Sequence, residues 1–135
     1  MTKMKVFYLG DLHTECTHES GAKIATDAPK DNMGKGEAFS PTDLFAASLA
    51  TCMVTLMGIM ARKLQVELKG LTAEVEKEMT TTGPRRLGKV IVRIRSELSP
   101  NSQVREKLEK AALDCPVGLS LHPDVIVEVD FVWGL

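Results

Sequence analysis

Residues 44–61 run for eighteen positions without a charged side chain, in a chain of only 135 residues. A run of that length touches the lower limit for a membrane-spanning helix. Ser48, Thr51, Cys52, Thr55 and Gly58 interrupt it, and amphipathic segments on both sides need something apolar to pack against. A fully buried central helix is therefore the simpler account, and no membrane partner is expected. A helix that is apolar all round must be covered all round, and one sheet covers only one side. In so small a chain the other side is expected to pack on a second copy, which makes a homodimer the expected assembly.

The helix start is explicit in the sequence. Ser40-Pro41-Thr42-Asp43 offers Ser40 as N-cap, Pro41 at the first helical position and Asp43 at the capping-box position, where its carboxylate also favours the helix dipole. The helix should run from Pro41 to about Leu64. Before it, the pattern predicts short strands over 4–9, 12–18 and 22–27, with turns at Gly10-Asp11 and Glu19-Ser20-Gly21. Pro29, Asp31-Asn32, Gly34 and Gly36 make 28–39 a loop, long enough to suggest a functional or interface role.

After the helix, Leu71, Ala73 and Val75 alternate with Thr72, Glu74 and Glu76. Thr82-Gly83-Pro84 then turns the chain into a strand over 89–98, so a hairpin is expected. Ser102 can cap a second helix in which Val104, Leu108, Ala111, Ala112 and Cys115 form one stripe, placing Cys115 on the buried face. Val125, Val127, Val129, Phe131 and Trp133 alternate with Glu128 and Asp130 to close the chain with a strand. The predicted class is α+β, with antiparallel-rich sheets around the long central helix in the order βββ-α-ββ-α-β.

At 14.8 kDa the chain is one domain's worth, and 1–135 is expected to be a single domain. A formal charge of -1, with no basic stripe, predicts no nucleic-acid partner. The apolar stretch at residues 6–9 is too short for a signal-peptide core, so a cytoplasmic location is expected. Three cysteines, Cys16, Cys52 and Cys115, are too few and too odd for a disulfide framework; they leave metal binding, redox chemistry or plain burial.

Buried cysteine is ordinarily a small hydrophobe. Cys52 stands among Leu49, Met53, Thr55 and Leu56, about three turns into its helix and too deep to feel the helix dipole, so some other group must activate it if it reacts. Cys115 precedes Pro116, which can open a further helical turn with Cys115 as its N-cap, a position that favours a thiolate. His13, Cys16 and His18 crowd one strand, but alternation puts His13 on one face and the other two on the opposite face. With His122 in a loop, that spacing fits no closed zinc pattern, and neither a metal nor a cofactor is expected. Cys16 is most simply a core or interface filler.

The run Ser40-Pro41-Thr42-Asp43-Leu44-Phe45-Ala46-Ala47-Ser48-Leu49-Ala50-Thr51-Cys52, followed by Cys115-Pro116-Val117, resembles the OsmC/Ohr family of thiol-dependent peroxidases. The resemblance extends over nearly the whole chain. It implies an OsmC-like intertwined homodimer around two long central helices, with two active sites at the subunit interface. It also implies that Cys52 attacks an organic hydroperoxide, becomes a sulfenic acid and condenses with Cys115, after which a dithiol reductant restores both thiols, an antioxidant role in oxidative stress. Family peroxidases carry a glutamate directly after the proline and an arginine early in the chain. Here Thr42 stands at the glutamate position, and the first arginine is Arg62. Asp43 lies on the wrong side of the helix to substitute and reads as a cap, while His13 occupies the strand where the arginine would be. These departures keep a second reading open: a non-catalytic relative that binds an apolar small molecule or senses oxidants.

Overall fold

The capping signal at residues 40–43 sets the start of the long helix. In the computed structural model, which describes residues 1–134, Asp43 N donates to Ser40 Oγ at 3.0 Å, and Ser40 N donates to Asp43 Oδ2 at 2.9 Å. The two bonds form a reciprocal capping box. Helix α1 spans Pro41–Leu64, as expected, with Arg62 and Lys63 in its last turn, where cations suit the dipole. Gln65 then takes a left-handed φ of 56° and ends it.

The chain forms two compact units, one over residues 1–45 and one from residue 46 onward. In the first, β1 (Met4–Gly10), β2 (His13–His18) and β3 (Lys23–Asp27) make an antiparallel meander in chain order. Asp11 and Leu12, with φ of 52° and 62°, form the two-residue turn whose twist suits a hairpin. The second hairpin pairs Thr17 with Lys23 and His13 with Asp27. The loop after β3 includes a single 3-10 turn at Lys30–Asn32 and folds back on its origin: Asp27 N donates to Phe39 O at 3.0 Å and Gly36 N to Ala28 O at 3.2 Å. A Cβ at Gly34 would lie 1.7 Å from Ala28 O, so this fold-back requires glycine there.

In the second unit β4 (Thr72–Met79), β5 (Leu87–Ser96) and β6 (Ile126–Trp133) form a sheet in that order. β4 and β5 are the expected antiparallel hairpin, whereas β6 runs parallel to β5. A parallel pair needs a crossover. It is supplied by α2 (Ser102–Leu113) and the short α3 (Pro116–Leu119). Ser102 is the first helical residue of α2 rather than its cap: Asn101 caps, its Oδ1 accepting from Val104 N at 2.9 Å.

Helix α2 also stops short of Cys115. A residue before proline is pushed out of the α region by the ring, and Cys115, before Pro116, is extended at φ -68° and ψ 144°. The expected stripe therefore ends at Ala112, and Cys115 sits in the joint between two helices, yet it is completely buried.

The core of this unit is one stripe of α1, made of Ala46, Leu49, Ala50, Met53, Met57 and Ala61, packed with Val90, Val92 and Ile94 of β5 and with Leu108 and Ala112 of α2. These positions recur at helical spacing, so the apolar run is a core helix. Within one chain, however, burial is one-sided. Thr51, Thr55, Gly58 and Ile59 are exposed, the side that the sequence reading assigns to a second copy. Leu108 touches solvent nowhere. Leu108→Ala should cost about 2–5 kcal/mol of stability, read as a lower denaturant midpoint with an unchanged slope.

Candidate active site

Two thiols meet inside the second unit. Cys52, half-buried at the edge of the α1 stripe, packs against the same core cluster that holds Cys115 and is close enough to affect its titration. Three local features place Cys115. Pro116 forces its extended backbone, α3 starts immediately after it, and Gly118 N donates to its Sγ at 3.3 Å, so the thiol itself is the N-cap. Leu49 of α1 lies against this turn: a Cβ at Gly118 would be 3.5 Å from Leu49 Cδ1 and 3.3 Å from Cys115 Sγ.

Burial pushes the Cys115 thiol up from its ordinary value. The Gly118 N–H pulls it partly back, and the Cys52 sulfur raises it again both as a hydrogen-bond acceptor and as a neighbouring negative charge. The thiolate expected at this helix start is thus opposed by desolvation, and the four residues of α3 do not overcome it. Burial, the largest effect, therefore favours the protonated thiol at Cys115. Chemically, the pair is one thiol that holds its proton beside another that is partly open to solvent, both in apolar surroundings.

Of the other candidates, all but His122 lie in the first unit, in three separate places. His13 Nδ1 donates to Asp27 Oδ1 at 3.2 Å, and Asp27 Oδ2 accepts from Glu37 N at 3.0 Å. The Asp27 side chain is only 4% exposed, and a cleft of about 250 Å³ opens beside it between His13, Lys35 and Glu37. The Glu37 N–H, with smaller help from His13 and Lys35, holds the Asp27 carboxyl below its ordinary range against the opposing effect of burial. Thr42 Oγ1 lies 3.2 Å from Ser40 Oγ, and Asp43 is engaged in the capping box. Cys16 lines a different cavity, of about 340 Å³, with Thr14, Ile24, Thr26 and Leu44. Alternation along β2 accordingly sends His13 and Cys16 to opposite faces. His122 is in the turn before β6, where its Nδ1 accepts from Asp124 N at 3.1 Å.

A long apolar core helix carrying one thiol, with a second thiol at a Cys-Pro joint beside it, defines a class of small α+β dithiol proteins. The chain belongs to the OsmC family: the family model described as OsmC-like protein matches residues 34–130. Among solved structures it is similar to a Psychrobacter arcticus 273-4 protein described provisionally as an osmotic stress induced and detoxification response protein. That similarity is 47% identity, over 97% of this chain and 96% of that one, at a TM-score of 0.91. A provisionally described organic hydroperoxide resistance protein of Vibrio cholerae, with captopril in one of its active sites, is 26% identical at a TM-score of 0.73, over 100% of this chain and 92% of that one. The Legionella pneumophila organic hydroperoxide resistance protein OsmC shares the fold, at 20% identity and a TM-score of 0.78, over 98% and 96% of the two chains. No curated protein matches the chain in sequence.

Sequence reasoning passed over Asp27 and Gly118, and named Leu49 only as a neighbour of Cys52. For Asp27 a signal existed: a turn centred on Ser20 pairs residue 13 with residue 27, so the partner of His13 follows from the hairpin register. Leu49 and Gly118 approach one another only through packing.

The lowered Asp27 value fixes a pH dependence. A depressed folded-state pKa contributes stability that is complete above the ordinary carboxylate value of 3.8 and is lost as pH falls through the lowered value. Native protein should therefore lose thermal stability more steeply below that pH than Asp27→Asn, in which nothing titrates at this position. Parallel melting curves descending from about pH 5 measure the difference.

Proposed function

We propose that the protein is a cytoplasmic, homodimeric thiol peroxidase that reduces organic hydroperoxides. The observation that carries this reading is the placing of half-buried Cys52 and fully buried Cys115 in one apolar core, near enough for each sulfur to bear on the other. In the proposed cycle the Cys52 thiolate attacks the distal peroxide oxygen, the O–O bond breaks, and the leaving alkoxide takes a proton to become an alcohol. Cys115 sulfur then bonds to the Cys52 sulfenic sulfur, and hydroxide leaves with the Cys115 proton as water. A dithiol reductant reopens the disulfide and is itself oxidised to a disulfide. Net, one hydroperoxide and one dithiol yield an alcohol, water and a disulfide.

Family membership supports the reaction class, and the apolar surroundings of the pair favour fatty or aromatic hydroperoxides over hydrogen peroxide. The exposed face of α1 at Thr51, Thr55 and Ile59 supports assembly of two single-domain copies. For activation we propose His13 of one copy acting on Cys52 of the other. Asp27 fixes the ring through Nδ1, which leaves Nε2 for the thiol. Thr42 would line the same site, and Asp43 would serve only as the cap. The departures at Thr42 and at the missing arginine favour the second reading, a protein that binds an apolar small molecule or reports oxidation without turnover.

Reduced protein mixed with one equivalent of cumene hydroperoxide should lose two thiols and gain a Cys52 to Cys115 disulfide by intact mass. Cys52→Ser should abolish this loss, and Cys115→Ser should stop at the sulfenic acid. Absence of the disulfide in the native protein defeats the proposal, and stoichiometric oxidation without dithiol-supported turnover selects the sensor. His13→Ala should slow the first oxidation by roughly 10²-fold or more, as loss of a positioned acid–base group does. An unchanged rate removes His13 from the mechanism.

A further inference from the structure

The hydrogen bonds of the three histidines place their protons on different nitrogens. His18 Nδ1 accepts from Ser20 N at 3.0 Å, and His122 Nδ1 accepts from Asp124 N at 3.1 Å. A backbone N–H can only donate, so each of these rings, when neutral, carries its proton on Nε2. His13 is the reverse. Its Nδ1 lies 3.2 Å from Asp27 Oδ1, and an ionised carboxylate can only accept, so the proton sits on Nδ1 and the neutral ring keeps a lone pair on Nε2.

Asp27 is held in place for that task. Its side chain is only 4% exposed, and its second oxygen accepts from Glu37 N at 3.0 Å, so it cannot turn from the ring without giving up that bond. The loop that presents the Glu37 N–H is itself tied down, since Gly36 N donates to Ala28 O at 3.2 Å and Ala28 N donates to Leu12 O at 3.1 Å, beside His13. The His13 side chain is 40% exposed and lines a cleft with Lys35 and Glu37, which leaves Nε2 as the nitrogen free for an incoming group.

We propose that Asp27 is a positioning residue: clamped by the Glu37 N–H, it keeps the His13 proton on Nδ1 and so makes Nε2 the proton carrier of the peroxide step. The inference rests on the reading in which His13 of one copy acts on Cys52 of the other, and adds the route of the proton. Nε2 takes the proton of the Cys52 S–H, leaving a thiolate and an imidazolium that Asp27 stabilises. The thiolate sulfur bonds to the distal peroxide oxygen as the O–O bond breaks. Nε2–H then returns the proton to the departing alkoxide, which gives the alcohol and restores the neutral ring.

The test is Asp27→Asn, which leaves one oxygen where the carboxylate has two. Glu37 N–H claims that oxygen, the amide nitrogen faces His13 Nδ1 as a donor, and the neutral ring has to move its proton to Nε2, as happens when an amide replaces the aspartate of a Ser-His-Asp triad. Long-range proton–nitrogen NMR spectra of the full-length reduced protein, in alkaline solution where all three rings are neutral, read the tautomers together. Native protein should show Nδ1–H at His13 and Nε2–H at His18 and His122. Asp27→Asn should reverse His13 alone, the other two rings reporting an intact fold. In a Cys115→Ser background with one equivalent of cumene hydroperoxide, Asp27→Asn should slow formation of the Cys52 sulfenic acid by roughly 10²-fold or more, followed by intact mass. Nε2–H at His13 in the native protein, Nδ1–H retained in Asp27→Asn, or a reversed tautomer with an unchanged rate overturns the proposal. If Cys115→Ser alone forms no sulfenic acid, the peroxidase reading has failed and the proton route fails with it, whatever the tautomer.

Discussion

One-sided burial of α1 is the constraint on which the second unit depends. Ala46, Leu49, Ala50, Met53, Met57 and Ala61 form a continuous stripe that organises β5 and α2 around it. Each of these side chains removes apolar surface from water, at about 25 cal/mol per Å². Because the stripe is narrow, residues at its edge are half-buried rather than buried or free. Cys52 is such a residue: it reaches the core on one side while keeping access to solvent. Under the proposed cycle, a thiol that meets both a small substrate and a second thiol needs that position.

The second thiol owes its place to a different rule. Pro116 lacks an N–H and crowds the residue before it, so α2 has to stop and the chain has to restart as α3. The joint brings Cys115 inward with its sulfur facing new helical N–H groups. Burial, though, outweighs what one Gly118 N–H returns, and the proton stays on Cys115. That asymmetry gives the two sulfurs different roles under the proposed cycle. The one partly open to solvent attacks, and the sealed one waits with its proton for an electrophilic partner.

Much of the fold was readable from residues 40–43 and from alternation. The capping box appears as written, and α1 begins and ends where its polar punctuation stands. The three amino-terminal strands and the β4–β5 hairpin follow their patterns because each is a local choice made over a few residues. Errors fell where two local rules competed. The stripe through Ala111 and Ala112 pointed onward to Cys115, but the proline three residues beyond the end of the helix took precedence. At the start of α2, Asn101 rather than Ser102 supplied the cap, since either side chain can bond an N–H three residues on.

The sequence by itself determined the inventory and the local geometry: a long apolar helix bearing Cys52, a Cys-Pro joint, and no arginine before Arg62. Both thiols could be named because their surroundings differ along the chain. Tertiary structure alone decided that the two thiols share one core, that Leu49 and Cys115 both approach Gly118, and that β6 runs parallel to β5. Helix caps and strand alternation are set by neighbours within a few residues. The meeting of residues 52 and 115 is instead set by how α1, the sheet and the α2–α3 joint jointly fill one core, which no short window of sequence contains.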